Sequence, residues 1–127
     1  MTKKLQPPPR VFHTARGSTV LVGRCARQND ELTENAMSYE NAYWFHVAGG
    51  VPGAHVVLLP MDDVLTKKDI EEAAGLALAY SKSPNRRFGK GKVIYCRASH
   101  VDKIQGSAPG SVIAMQSKSI MVSSNRR

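Results

Sequence analysis

Five residues, Gly49-Gly50-Val51-Pro52-Gly53, constrain this chain more than any others. They separate two apolar, β-prone runs, Tyr43-Trp44-Phe45-His46-Val47 and Ala54-His55-Val56-Val57-Leu58-Leu59, the second stopped by Pro60. Two such runs around a dense breaker predict an antiparallel hairpin. A loop over 48–53 sets Val47 opposite Ala54 and His46 opposite His55, with the two imidazoles on one face. A slip of one residue would send them to opposite faces. Strand alternation places Trp44 on the His46 face.

The same punctuation recurs. Val11–Thr14 and Ser18–Gly23 predict a second hairpin turning at Arg16-Gly17. Gln28–Met37 predicts a helix, with Asn29 or Asp30 as its cap and Leu32 and Ala36 on one face. Thr66–Ser81 predicts the clearest helix. Thr66 and Asp69 form a capping-box pattern with Asp in place of Glu, and Pro84 stops the chain from continuing. Ile70, Ala73, Ala74, Ala77 and Ser81 make a stripe that, Ile70 apart, is small enough to lie close to a sheet. Ser83–Lys92 reads as a polar loop and Val93–Cys96 as a buried strand. Ser107–Gly110 reads as a turn, and Val112–Met115 and Ser119–Val122 as two closing strands. The sum is one α+β domain: a mainly antiparallel sheet of six to seven strands with two helices. Residues 1–10 read as a Pro-rich basic tail, 11–123 as the domain and 124–127 as a basic C-terminal tail.

The chain has 127 residues, enough for one self-folding core. No apolar run approaches the ~18 residues of a membrane span, and the N-terminus has no apolar signal region. Cys25 and Cys96, the two cysteines, make no metal or redox motif and point to a reducing, cytoplasmic setting. Eighteen Lys and Arg against ten Asp and Glu give a net charge of +8, with a sequence pI near 9.8. That balance fits a polyanionic partner and equally a merely soluble basic protein.

The cations cluster. Lys82, Arg86, Arg87, Lys90, Lys92 and Arg97 follow one another with no acid among them, and Phe88 is available for stacking. Phe88–Lys92 is not a nucleotide-triphosphate loop: the G-x-x-x-x-G-K-[ST] pattern is absent. Arg24, Gln28 and Asn29 bring donors to a helix N-terminus, where phosphates bind; the competing reading pairs the arginines with Asp30 and Glu34. His46 and His55 fit acid–base work, but no third ligand stands at zinc spacing, so no metal or cofactor is expected. Ser81 has the type of a nucleophile without a motif around it. Cys25, though flanked by arginines, reads as a buried structural thiol.

Gly23-Arg24-x-x-x-Gln28-Asn29-Asp30-x-Leu32, Trp44-Phe45-His46, Pro52-Gly53-Ala54-His55-Val56-Val57, Glu71-Glu72-Ala73-Ala74 through Tyr80-Ser81-Lys82, Val101-Asp102-Lys103 and Pro109-Gly110 follow one order. That order resembles the NFACT-R domain of ribosome-associated quality-control factors, here over about residues 12–123 and in a stand-alone form. The resemblance implies an RNA-binding module acting on tRNA or the large ribosomal subunit. Its polar surface would be lined by Arg24, Gln28, Asn29, Trp44, His46, His55, Ser81 and Lys82. The family often carries an acid just before its W-x-H segment; Asn41, Ala42 and Tyr43 stand there instead. The nucleic-acid site expected is therefore this set with Arg86, Arg87, Lys90 and Lys92, and the expected partners are RNA and the ribosome, with DNA open. A binding module is favoured over an enzyme. The alternatives are a histidine-based enzyme acting on a nucleotide or RNA end, and a nonspecific adaptor for DNA or anionic membrane.

Overall fold

A computed structural model of the chain describes residues 8–103, 112–114 and 116–125. Six strands form one antiparallel sheet: β1 (Arg10–His13), β2 (Thr19–Val22), β3 (Tyr43–Val47), β4 (Val56–Leu59), β5 (Lys90–Arg97) and β8 (Lys118–Ser123). Their spatial order is β1-β2-β4-β3-β5-β8. Two further strands, β6 (Val101–Lys103) and β7 (Val112–Ala114), pair separately. Helices α1 (Ala26–Met37) and α2 (Lys67–Ala79) complete the α+β domain.

The two hairpins form as the sequence predicts. β1 pairs with β2 across Thr14–Ser18, and β3 pairs with β4 in the register Trp44↔Val57 and Phe45↔Val56. Continued past the last ladder pair, that register sets His46 opposite His55. β4 itself begins at Val56, two residues later than Ala54.

Strand alternation splits the apolar residues between two faces. Val20, Val22, Phe45, Val56, Leu58 and Val93 pack against α2. Full burial of a Phe or Leu side chain such as Phe45 or Leu58 contributes about 1.5–3 kcal/mol. The small residues Ala73, Ala74 and Ala77 let the helix sit close, as their stripe predicts. The approach is tight enough that a Cβ on Gly91 would lie 2.5 Å from Leu78 Cδ1. On the opposite face, Trp44, Val57 and Cys96 pack with Leu32 and Ala36 of α1 and with Ala98 and Val101. The sheet is thus the middle of three layers.

α2 begins as its sequence predicts: Thr66 Oγ1 accepts the Asp69 N–H at 3.1 Å. The Asp69 carboxylate does not reciprocate. It accepts from Ser18 Oγ at 2.5 Å and from Arg16 Nη1 at 3.1 Å, tying the helix to the first hairpin. The helix ends at Ala79, before Ser81 and well before Pro84.

Other expectations are corrected. α1 starts at Ala26, with Cys25 at the N-cap and no side-chain cap. Asn29 and Asp30 lie inside the helix and are buried, and the Asn29 side chain serves a tertiary rather than a capping contact. Cys25 is exposed, since the N-cap position faces out of the core; Cys96 is the buried thiol. Burial pushes the Cys96 thiol up to about 11. The polar loop ends earlier than expected: Lys90 and Lys92 belong to β5, extended by pairing with Ser123 and Met121 of β8. Arg10, assigned by sequence to the tail, is the first residue of β1. The turn expected at Ser107–Gly110 lies outside the described residues.

Candidate nucleic-acid interface

One cleft of about 880 Å³ opens where the β3–β4 hairpin, the start of α1 and the end of α2 meet. Eight of the twelve candidate residues line it: Arg24, Asn29, Trp44, His46, His55, Ser81, Lys82 and Arg86. Gln28, Arg87, Lys90 and Lys92 are not among its lining residues.

The hairpin brings the aromatic groups. The rings of Trp44 and His46 stack, with centroids 5.8 Å apart and planes 6° from parallel. The His55 ring meets His46 nearly edge-on at 5.6 Å, as the cross-strand register requires. His55 is 1% exposed. Its Nδ1 shares a 2.7 Å hydrogen bond with Thr33 Oγ1 on α1. His46 Nδ1 donates to the Val47 carbonyl at 2.6 Å. Burial holds the His46 pKa below its ordinary value of 6.5, against the carbonyls of Val47 and Gly53, which favour the charged ring. At neutral pH His46 is therefore uncharged. Among the described residues, Trp44 Nε1 is buried without a partner.

The α1 wall is built by a close approach. Asn29 Oδ1 accepts the His55 backbone N–H at 3.1 Å, and a Cβ on Gly23 would collide with that same oxygen. Only glycine fits there. Gln28 is buried, and its Oε1 accepts the Arg24 N–H at 2.7 Å. Its role is to fold the chain into the helix, which explains why it does not reach the cleft. Arg24 Nε donates to the Pro8 carbonyl at 2.8 Å.

The α2 wall carries Ser81, Lys82 and Arg86. Ser81 Oγ donates to the Leu78 carbonyl at 2.7 Å and accepts from the Ser83 N–H at 3.1 Å. The hydroxyl is engaged with main chain rather than with a histidine, a structural arrangement. Lys82 is tied through its backbone N–H to the Pro52 carbonyl at 2.8 Å, which leaves the exposed side chain on the rim.

Sequence reasoning missed Arg10. Its guanidinium lies 4.6 Å from the centroid of the Tyr80 ring, and both residues line the cleft. The available signal was its place immediately before a predicted strand. With Arg10, four cationic side chains line the cleft, and among the described residues no carboxylate does. Also among the described residues, no three His, Cys, Asp or Glu side chains gather as a metal site needs, and no helix is long and apolar enough to cross a membrane.

A small α+β domain with a cleft lined by cations and, among the described residues, by no carboxylate has the surface chemistry of nucleic-acid-binding modules. Comparison with known families makes the assignment: residues 9–116 match the NFACT protein RNA binding domain, and the chain belongs to that family. It is 35% identical to the Rqc2 homolog RqcH of Streptococcus suis (strain 05ZYH33) over 123 residues, which is 94% of this chain and 21% of that protein. It is 32% identical to the Rqc2 homolog RqcH of Bacillus subtilis (strain 168) over 110 residues, 87% of this chain and 18% of that protein. The chain thus spans about a fifth of the length of these curated relatives. Its fold is similar to the C-terminal part of the fibronectin/fibrinogen-binding protein from Streptococcus suis, with a TM-score of 0.82 at 28% identity over 97% of this chain and 51% of that one.

Proposed function

We propose that this protein binds RNA through the cleft and its basic rim, and that it does so on tRNA or the large ribosomal subunit in ribosome-associated quality control. The observation that carries the reading is the set of Arg10, Arg24, Lys82 and Arg86 around one cleft with no lining carboxylate among the described residues. Guanidinium and ammonium groups so placed neutralise phosphates and release counterions on binding. The uncharged His46 beside Trp44 offers a flat surface to a base rather than a further cation. Trp44 Nε1, without a partner among the described residues, lies buried at the same wall, and a buried donor left unmet costs about 1–3 kcal/mol. Arg87, Lys90 and Lys92 extend the positive field beyond the cleft. The place in quality control rests on the family and on the RqcH relatives.

The test is fluorescence anisotropy with labelled tRNA, a large-subunit rRNA fragment and matched duplex DNA over a salt series. Trp44 is the chain's only tryptophan, so its intrinsic emission reports on the cleft in the same titration. The expected result is preference for RNA at physiological salt, a Trp44 signal on binding, and weaker binding in His46→Ala and in Arg86→Ala/Arg87→Ala. Equal affinity for all three ligands, with only the arginine variant affected, would reduce the protein to a nonspecific polyanion binder. Salt-insensitive binding would remove the electrostatic mechanism altogether.

A further inference from the structure

Phe88 is 84% exposed, an unusual position for a side chain of that size. It stands on a loop that is held in shape. Asn85 Nδ2 donates to the Lys90 carbonyl at 2.9 Å, and the Asn85 N–H donates to Ser83 Oγ at 3.1 Å. Ser124 Oγ closes the far side on the Arg86 carbonyl. An aromatic ring on a braced loop loses little further conformational freedom when something stacks on it.

The strand below Phe88 leads to the cleft. Alternation along β5 turns Gly91 and Val93 toward α2 and puts Lys90, Lys92 and Ile94 on the other face. Register adds Met121, 60% exposed, beside Lys92, and sets Ile94 opposite His46. Ile94 already lines the cleft. From Ile94 to Lys90, where β5 begins, is four residues, about 13 Å at a strand's rise, and Phe88 stands two residues further on in the loop. Neither 82–97 nor 116–127 contains an acid. The result is a continuous strip of cations and small apolar surfaces, ending in one bare ring.

We infer that this strip is a track for single-stranded RNA, running from the cleft along β5 and β8, with Phe88 stacking on an unpaired base. The inference rests on the RNA-binding reading above and narrows its substrate to unpaired nucleotides. Duplex RNA keeps its base faces hidden, so its phosphates could meet Lys90 and Lys92 while Phe88 would find no ring to cover. An unpaired strand offers both phosphate and base face, the combination that sequence-tolerant single-strand binders use.

The test compares a fluorescein-labelled 12-nucleotide oligoadenylate with a 12-base-pair RNA duplex, using the full chain and the variants Phe88→Ala, Phe88→Trp and Arg86→Ala/Arg87→Ala. Phosphatidylserine vesicles are the third ligand. Phe88→Ala should weaken oligoadenylate binding roughly tenfold to a hundredfold, the span of one lost base–aromatic stack. Duplex binding and the salt slope should stay unchanged, and Phe88→Trp should restore the wild-type affinity. Equal effects of Phe88→Ala on both RNAs, or none on either, overturn the track while leaving RNA binding itself intact. Loss of vesicle binding with oligoadenylate unaffected assigns Phe88 to a membrane and also overturns it. If neither RNA binds wild type at low salt, the underlying RNA reading falls as well.

Discussion

The side-chain oxygen of Asn29 accepts the backbone N–H of His55 at 3.1 Å, joining helix α1 to the chain entering β4, 26 residues away. The same bond fixes two walls of the cleft relative to each other. It also explains Gly23, whose N–H donates to the His55 carbonyl at 3.1 Å and whose missing side chain leaves room for the Asn29 oxygen.

A Gly23→Ala substitution should therefore displace Asn29 and destabilise the fold by about 1–3 kcal/mol, the usual range for forcing a methyl into packed space. Asn29→Ala should be destabilising too, through the unmet His55 N–H. The two changes share one contact, so their effects should not add: in an Asn29→Ala background, Gly23→Ala should cost far less. Urea denaturation of the four proteins in the cycle measures the coupling. Additive losses would mean that Gly23 and Asn29 act separately.

The contrast between what was legible in the sequence and what was not follows from the range of the interactions. The β3–β4 hairpin, its register and the Thr66 cap are set by residues close in the chain, and all three were readable. The meeting of His46 with His55 came with them, since a hairpin register is local. The cleft was not readable as a cleft. It needs β2 beside β4 and β5 beside β3, pairings between segments far apart in sequence. Asn29 shows why a local rule misleads: its type suits a helix cap, but its side chain is claimed by the chain entering β4, 26 residues later. Lys90 and Lys92 read as loop because glycines flank them, and pairing with β8, distant in sequence, draws them into a strand. Arg10 was lost to the tail because three prolines precede it.

The cations lining the cleft should be separable by salt dependence. A side chain that neutralises one phosphate contributes about one to the slope of log affinity against log salt. Lys82→Ala and Arg86→Ala should each lower that slope by about one and weaken binding to every RNA alike. His46→Ala should weaken binding while leaving the slope in place, because the ring is uncharged at neutral pH. Anisotropy titrations at four or five salt concentrations distinguish the two patterns. A slope change in His46→Ala would show that the histidine carries charge in the complex.

His46 also makes stability depend on pH, and the sign is fixed by its lowered pKa. The unfolded chain takes up the proton near the ordinary value of 6.5, and the folded chain only at lower pH. Between those two points the unfolded state binds more protons, so stability falls as pH drops through that window. His46→Gln, which cannot titrate, should show a flatter profile than wild type below pH 6.5 and none of this difference above about pH 7.5. Thermal unfolding across pH 5–8 compares the two. Parallel profiles would place the His46 ring in solvent rather than in the cleft wall.

Asp69 behaves in the opposite sense. It is fully buried, while Arg16 remains 31% exposed. Burial would raise its pKa, but the hydroxyls of Ser18 and Thr14 and the Arg16 guanidinium outweigh that and hold it below the ordinary 3.8. Its contribution is complete above the unfolded value and is lost as pH falls through the lower, folded one. Asp69→Ala should cost about 3 kcal/mol at pH 7, since it strands the Ser18 hydroxyl and the Arg16 fork that it joins to α2. The penalty should shrink as pH falls through the lowered folded value, where wild type also loses the charge. Arg16→Ala should cost less, because the carboxylate keeps its hydroxyl donors. Denaturant curves at pH 7 and in acid, for wild type and both variants, measure these differences. An Asp69→Ala penalty that persists undiminished in acid would assign the effect to packing of α2 rather than to the carboxylate's charge.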